Sequence, residues 1–265
     1  MSEFSPPYDF KAGAVLLVNK PLTWTSFDVV NKLRYTIKKH LDVKKIKVGH
    51  AGTLDPLATG LLIICTGKFT KRLESFQSQK KEYTGSFLLG KTTPSFDAEQ
   101  EPNAFFPTEH ITSELLEEAR LKFEGDLEQY PPQFSAIKVD GVPLYKSARK
   151  GERVEVKPRP VHIFKFEIDA KRFPTIDFYS DVSKGTYIRS LAHDFGKSVE
   201  SGAYLTKLVR TSIGDFQLIS LSCEECQVVA ILCQELFASG ASTTVANRAH
   251  IHSPSNVQIT AQKPG

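Results

Sequence analysis

Asp55 is the single carboxylate in the segment GHAGTLDPLATGLLIICTG, residues 49–67, whose other residues favour backbone turns or apolar packing. The glycines of this segment permit positive φ angles, and Pro56 fixes its own φ and keeps the preceding residue out of the helical region. The acid is therefore predicted to lie on a stiff loop. A carboxylate held in this way could serve as a nucleophile in catalysis.

A purely structural role for Asp55 stays open at this point. Asp before Pro in a glycine-rich loop commonly closes an Asx-turn or caps a helix. His50, Thr53 and Thr59 place further polar groups beside the acid, which favours a site over simple packing. Residues 61–65, LLIIC, form an unbroken apolar run that predicts a buried strand anchoring the loop.

Length and composition predict a cytosolic, globular protein of one large or two modest domains. The chain has 265 residues, of which 40% are hydrophobic, and its apolar runs are far too short to span a membrane. The N-terminus has no signal pattern. Cys223 and Cys226 form a CxxC pair without a second pair, so reduced thiols are predicted and no metal site.

Charge is distributed unevenly along the chain. Residues 1–91 carry 15 Lys and Arg against 7 Asp and Glu, whereas residues 92–128 carry 2 against 10. The basic excess is concentrated in residues 32–47, KLRYTIKKHLDVKKIK, which lead directly into the Asp55 loop. This position favours a polyanionic partner such as a nucleic acid, although a lysine run alone is more often a solvated helix face.

The periodicity predicts an α+β fold on a mostly antiparallel or mixed sheet, because strands and helices occur without strict βαβ alternation. Residues 92–107 are predicted as an irregular acidic connection, Asp140–Gly141 as a hairpin turn, and residues 239–265 as a mobile tail. Phe164, Phe166 and Ile168 are predicted on one face of their strand. The predicted strands are residues 14–19, 61–65, 82–89, 161–169 and 175–182; the predicted helices follow Thr25 or Ser26, span 112–123, and span 187–200 with Gly202 as C-cap.

Several familiar motifs are excluded, since the chain has no Walker A loop, no HExxH and no GxSxG. Four segments instead follow one pattern: NKPLTWTS (19–26), GHAGTLDPLATG (49–60), KEYTG (81–85) and SKGTYIRSLAHDFG (183–196). Together they resemble the TruB family of pseudouridine synthases. The segments QYPPQFSAIKVDGVPLYKSARKGE (129–152) and LTKLVRTSIGDF (205–216) also resemble that family, so the resemblance covers residues 15–221.

The resemblance implies a pseudouridine synthase fold and an isomerase that converts a uridine in the tRNA T-arm, conventionally numbered 55, to pseudouridine. It implies no cofactor and no metal. Residues 1–221 would form the catalytic domain, with residues 129–152 as an RNA-clasping insertion. The 222–265 extension does not resemble the RNA-binding PUA domain of longer relatives. The expected protein is a cytoplasmic monomer whose partner is tRNA, without a membrane or a required protein partner.

The resemblance also assigns roles to individual residues. Asp55 would be the catalytic carboxylate, Arg189 its guanidinium partner, and Tyr83 the aromatic that stacks on the target base and handles or positions the C5 proton. The expected substrate-binding residues are His50 at the RNA, Tyr187 and Leu208 in the wall of the site, and Lys20 and Lys71 at phosphates.

The sequence departs from the family pattern at two positions, and two alternative functions stay open. Thr23 stands where many family members have Gly, and Asn19 where Asp is usual. One rival is a non-catalytic tRNA-binding or tRNA-folding chaperone. The other is a hydrolase that cleaves the N-glycosidic bond and releases free uracil.

Overall fold

The structure is a computed structural model that describes residues 9–135, 137–139, 141–152, 154–218 and 243–244. The chain forms two compact units, one of Met1–Gln79 with Arg210–Gly265 and one of Lys80–Val209. Most of the predicted mobile tail, residues 239–265, lies outside the described residues.

Helices and strands alternate irregularly along the chain, as the α+β prediction requires. The helices are α1 Ser26–His40, α2 Leu73–Gln77, α3 Ser113–Leu121, α4 Leu144–Arg149 and α5 Ile188–Ser198, with a 3-10 helix at Gly67–Arg72. The strands are β1 Val15–Lys20, β2 Val48–His50, β3 Ala58–Thr66, β4 Lys81–Leu89, β5 Lys91–Thr92, β6 Ala104–Phe105, β7 Gly125–Gln129, β8 Lys138–Val139, β9 Val142–Pro143, β10 Arg159–Arg172, β11 Thr175–Val182, β12 Ala203–Ile213, β13 Phe216–Gln217 and β14 Thr243–Thr244.

The first unit is built around β3, whose two faces are both buried. β3 pairs antiparallel with β1 on one side, in the register Val18↔Leu62, and with β2 at its C-terminal end. Leu62 and Ile64 pack with α1, while Leu61 and Ile63 pack in a second apolar cluster. Burial on both faces explains why β3 reads as a continuous apolar run without alternation.

Helix α1 begins where the sequence predicts. Thr25 is the N-cap, and its hydroxyl and the Asp28 carboxylate exchange hydrogen bonds with each other's backbone N–H groups in a capping box. Val29, Val30, Leu33 and Ile37 are buried on one face of α1, as their spacing predicts.

The second unit is built on an antiparallel sheet. β4 pairs with β11, β11 with β10, and β10 with β7. The strands predicted at residues 161–169 and 175–182 are thereby confirmed, and they pair as an antiparallel hairpin. Phe87, Phe166 and Phe178 from the strands pack with Phe195 of α5 in an aromatic core.

One prediction about β10 is wrong. Phe164 does not share a face with the buried Phe166, because the register with β11 shifts between Ile163 and Lys165. This bulge turns the Phe164 ring outward, where it is 52% exposed. Alternation in the sequence gives no warning of one inserted residue.

The end of α5 also differs from prediction. The helix stops at Ser198, and Glu200 adopts a φ of +53° while the Ser201 N–H donates to the Gly196 carbonyl at 3.0 Å. Glu200 therefore takes the left-handed position expected of Gly202. Gly202 instead lies against the Phe106 ring, where a Cβ atom would collide with it at 2.6 Å.

Two short ladders complete the second unit. β8 and β9 pair across Gly141, which has a φ of +80°, so the hairpin predicted there is confirmed. β5 and β6 pair within the acidic connection, which is thus less irregular than predicted. Across the described ranges, none of the helices has the length and apolarity that crossing a membrane demands.

Candidate active site

The Asp55 loop joins β2 to β3 in the first unit. Its ends are fixed by backbone hydrogen bonds, from Ala51 N to the Ile63 carbonyl at 2.9 Å and from Ala58 N to the Asp55 carbonyl at 3.0 Å. Asp55 itself is half-buried. Gly52 has a φ of +94°, the positive value that the glycines of this loop were predicted to permit.

Ser26 holds the loop immediately before the acid. Its hydroxyl accepts a hydrogen bond from Leu54 N at 2.8 Å and donates one to the Leu54 carbonyl at 3.2 Å. Both residues are buried. The first residue of α1 therefore satisfies both backbone groups of the residue that precedes Asp55.

Lys20 holds the loop immediately after the acid. Its Nζ donates to the carbonyls of Pro21 at 2.9 Å, Trp24 at 2.5 Å and Pro56 at 3.2 Å. Burial lowers the pKa of Lys20 to about 8, against the opposing attraction of Asp55. The predicted phosphate contact of Lys20 is wrong, because the side chain is 0% exposed and all three ammonium donors are used.

Thr23 is one departure from the family pattern, and its backbone conformation shows why Gly is common at this position. It adopts a φ of +70°, a region that glycine occupies readily and a β-branched residue does not. Its N–H donates to the Pro56 carbonyl at 2.9 Å, so the strained residue also braces the loop. Asn19, the other departure, accepts a hydrogen bond from Gly60 N at 3.1 Å.

Arg210 lies beneath the loop and was not assigned a role from the sequence. Its guanidinium donates to the Leu61 carbonyl at 2.7 Å and the Gly52 carbonyl at 3.1 Å, with a longer contact to Thr53 O at 3.5 Å. The side chain is 1% exposed. Only its place in the LTKLVRTSIGDF segment could have drawn attention to it.

His50, at the end of β2, has a weakened affinity for a proton. Burial lowers the pKa of His50 below its ordinary value, and the positive charge of Arg210 lowers it further. A neutral imidazole can accept or donate a hydrogen bond at a base edge. Lys71 lies exposed on the 3-10 helix Gly67–Arg72, as a phosphate contact requires.

In the second unit, Tyr83 and Leu208 are largely buried. Tyr83 lies in β4 opposite Ser180 of β11. Leu208 lies in β12.

Arg189 is buried near the start of α5. Its guanidinium donates to the carbonyls of Ser95 at 3.1 Å and Phe134 at 2.9 Å, and lies 3.5 Å from the Asp97 carboxylate. Asp97 is also buried, and it accepts hydrogen bonds from Ser95 Oγ at 2.6 Å and Glu99 N at 3.0 Å.

Asp97 was missed by the sequence reasoning because it lies in the acidic connection, where nothing marks one carboxylate as buried. Tyr187, the N-cap of α5, is fixed through its backbone, which exchanges two hydrogen bonds with the side chain of Gln129. The structure thus groups Asp55, Lys20, His50 and Lys71 in the first unit and Tyr83, Tyr187, Arg189 and Leu208 in the second. In the described portion of the chain, no cluster of side chains is suited to holding a metal ion.

Comparisons with known proteins agree with the fold. The crystal structure of a Cbf5-Nop10-Gar1 complex contains a chain that is 27% identical, with a TM-score of 0.59. The match covers 85% of the present chain and 56% of that chain. The model of the TruB family pseudouridylate synthase N-terminal domain matches residues 38–188.

Sequence relatives extend the match. A tRNA pseudouridine synthase B of Flavobacterium johnsoniae is 55% identical over 213 residues, which are 80% of this chain and 93% of that protein. The one from Phocaeicola vulgatus is 59% identical over 210 residues, which are 79% of this chain and 89% of that protein. The fold and these similarities define a pseudouridine synthase, an isomerase by reaction class. More particularly, the chain belongs to the TruB family of pseudouridylate synthases.

Proposed function

We propose that this protein is a tRNA pseudouridine synthase that converts the uridine conventionally numbered 55, in the T-arm loop, to pseudouridine. The observation that carries the proposal is the half-buried Asp55 on a loop braced from both sides by Ser26 and Lys20. The names of relatives that match over about nine-tenths of their length support tRNA as the substrate.

The reaction breaks the bond between N1 of uracil and C1′ of ribose and forms a bond between C5 and C1′. The C5 proton is lost to solvent and N1 gains a proton, so the base is isomerised without any other reactant. Asp55 acts as a carboxylate that attacks the ribose or the base, or that stabilises an oxocarbenium-like intermediate. Each of these roles requires an ionised acid on a rigid support.

The other site residues have supporting roles in this proposal. Arg189 pairs with the Asp55 carboxylate and keeps it ionised. Tyr83 stacks on the target base and handles or positions the C5 proton, and Tyr187 and Leu208 complete the wall of the site. His50 and Lys71 contact RNA. Lys20 positions the loop through Pro56 instead of binding phosphate.

Because N1 and C5 are inaccessible in a stacked base, the nucleotide must leave its stack, at a cost of a few kcal/mol. Stacking on an aromatic side chain returns about 1–3 kcal/mol. The shape of the folded T-arm loop supplies specificity. Residues 1–221 form the catalytic domain of a cytoplasmic monomer, and residues 129–152 clasp the RNA.

The decisive experiment measures tritium release from a tRNA transcript labelled at C5 of uridine. The unchanged protein should release label from a transcript with uridine at position 55 and not from one with cytidine there. Asp55→Asn should bind the transcript without releasing label. Asp42→Asn, which removes an exposed acid of the first unit, is the matched control and should retain activity.

Three other outcomes would contradict the proposal. Tight binding without release by the unchanged protein would favour the tRNA chaperone. Labelled free uracil would favour the hydrolase. Release that persists when position 55 is cytidine would place the target uridine elsewhere.

A further inference from the structure

Arg210 is a fully buried cation that the proposed chemistry does not use. It is the first residue of the second segment of its unit and lies in the C-terminal part of β12. Burying a guanidinium is costly unless its donors are satisfied. Where those donors point therefore indicates what the residue is for.

The donors of Arg210 point to backbone carbonyls of the Asp55 loop and its supporting strand. Nε donates to Leu61 O of β3 at 2.7 Å, and Nη2 donates to Gly52 O in the loop at 3.1 Å. Nη1 lies 3.5 Å from Thr53 O, two residues before the acid. One planar group thus connects the loop to the strand that anchors it.

The close approach of backbones makes this geometry attainable. At Gly60, which has a φ of +103°, a Cβ atom would collide with the carbonyl oxygen and backbone N of Arg210. Glycine at this position lets the backbone of Arg210 lie directly against β3. The guanidinium then enters beneath the loop as a flat fork, a shape that the single ammonium of lysine does not offer.

The charge of Arg210 also acts on the groups around the acid. It contributes to lowering the pKa of His50 and the pKa of Lys20, after the larger effect of burial in each case. Arg210 therefore lies within electrostatic reach of both residues. Its influence on the loop is electrostatic as well as geometric.

We propose that Arg210 is a positioning residue for catalysis, which fixes the carbonyls of Gly52 and Thr53 so that Asp55 is presented in one orientation. Its effect on turnover rests on the proposed function. Its effect on loop order does not, and the two are measured separately. A loss of orientation of about 1 Å can cost roughly 100-fold in rate.

The test uses Arg210→Lys, which keeps the charge and loses the fork, and Arg210→Met, which loses both. The control is Ile37→Ala, which opens the apolar cluster around α1 and lowers stability without touching the loop. Amide hydrogen exchange is measured over residues 49–60. Turnover, tRNA affinity and melting temperature are measured on the same preparations.

Arg210→Lys should exchange faster over residues 49–60 and lose roughly 10-fold to 100-fold in kcat, with tRNA affinity unchanged. Arg210→Met should lose more, and Ile37→Ala should melt lower with loop exchange and kcat unchanged. Unchanged loop exchange in Arg210→Lys would overturn the proposal. So would parallel losses of kcat, affinity and melting temperature that match those of the control. If the unchanged protein is inactive while Arg210→Lys loosens the loop, the proposed function fails and the loop-fixing role stands.

Discussion

Ser26 and Leu54 exchange two hydrogen bonds, one from Leu54 N to Ser26 Oγ at 2.8 Å and one from Ser26 Oγ to Leu54 O at 3.2 Å. A single hydroxyl at the start of α1 thus replaces the backbone partners that a strand or helix would give Leu54. The residue next to Asp55 is fixed by a helix terminus, which moves less than a loop does.

Ser26→Ala should therefore destabilise the protein and loosen the loop. The change leaves the buried N–H of Leu54 without this partner, which costs about 1–3 kcal/mol of unfolding free energy. Urea denaturation measures this cost. Ser75→Ala removes an exposed hydroxyl that donates to a carbonyl within its own turn and should cost far less. Equal losses in the two variants would show that the Ser26 contact is energetically unimportant.

Asp97→Asn should reduce turnover more than tRNA affinity. The change removes the charge that lies 3.5 Å from the buried Arg189, while the amide oxygen can still accept from Ser95. Removing one member of a buried pair typically costs 3–5 kcal/mol, and replacement by an isosteric amide should cost about 1–3 kcal/mol. Single-turnover kinetics and chemical denaturation measure the two effects. Glu101→Gln, at an exposed position of the same connection, is the control.

The exposed face of α1 should contribute to RNA affinity through its charge. Lys32 and Lys39 are exposed there, beside Phe27 at 59% and Tyr35 at 66% exposure. Replacing both lysines with Gln should reduce the slope of log Kd against log salt by about 1–2, because each phosphate contact contributes roughly 0.7–0.9. Lys122→Gln near the end of α3 is the control, and an unchanged slope would mean that α1 presents an ordinary solvated face.

Thr23→Gly should stabilise the protein. A residue with a side chain costs roughly 1–2 kcal/mol in the left-handed region, whereas glycine costs about 0.5–1 kcal/mol in extra chain entropy. The net gain in unfolding free energy is up to about 1.5 kcal/mol, measured as a higher melting temperature. Thr25→Gly, at a φ of −75° and in a capping box, should lower the melting temperature instead.

His193 should make the protein less stable in mild acid. Burial, assisted by the charge of Lys197, lowers the pKa of His193 to about 4 from its ordinary value of 6.5. Between these values the unfolded chain binds a proton that the folded protein does not, so stability falls as pH drops from 6.5 towards 4. The slope is at most about 1.4 kcal/mol per pH unit.

His193→Gln should flatten this part of the profile of unfolding free energy against pH. His40→Gln, at the exposed end of α1, should leave the slope unchanged. The comparison concerns slopes and not absolute stabilities, because His193 also stacks on Phe96 at 3.8 Å and any replacement alters that packing. An equal slope in all three proteins would assign the acid sensitivity to other groups.

The elements that depend on local sequence patterns were predicted from the sequence. The period of Val29, Leu33 and Ile37 predicted α1, the apolar run before Thr66 predicted β3, and Gly141 predicted a hairpin. Each of these depends on neighbours within a few residues, where propensity and burial act together. The loop that carries Asp55 was predicted for the same reason.

Long-range contacts escaped prediction. The sequence predicted Lys20 as a surface cation, because no nearby residue indicates that its ammonium donates a hydrogen bond to the Pro56 carbonyl. The burial of Asp97 beside Arg189 depends on residues 92 positions apart in the chain. The bulge at Phe164 depends on pairing with β11. In each case, the deciding partner is far away in sequence.

The hydrogen bond from Arg210 to the Leu61 carbonyl joins residues that are 149 positions apart. At a synthesis rate of about 5–20 residues per second, the Asp55 loop is made roughly 7–30 s before the arginine that supports it. A nascent chain that ends before Arg210 therefore carries the acid without this brace. Competence to modify RNA would be acquired late in translation, after nearly all of the described chain has left the ribosome.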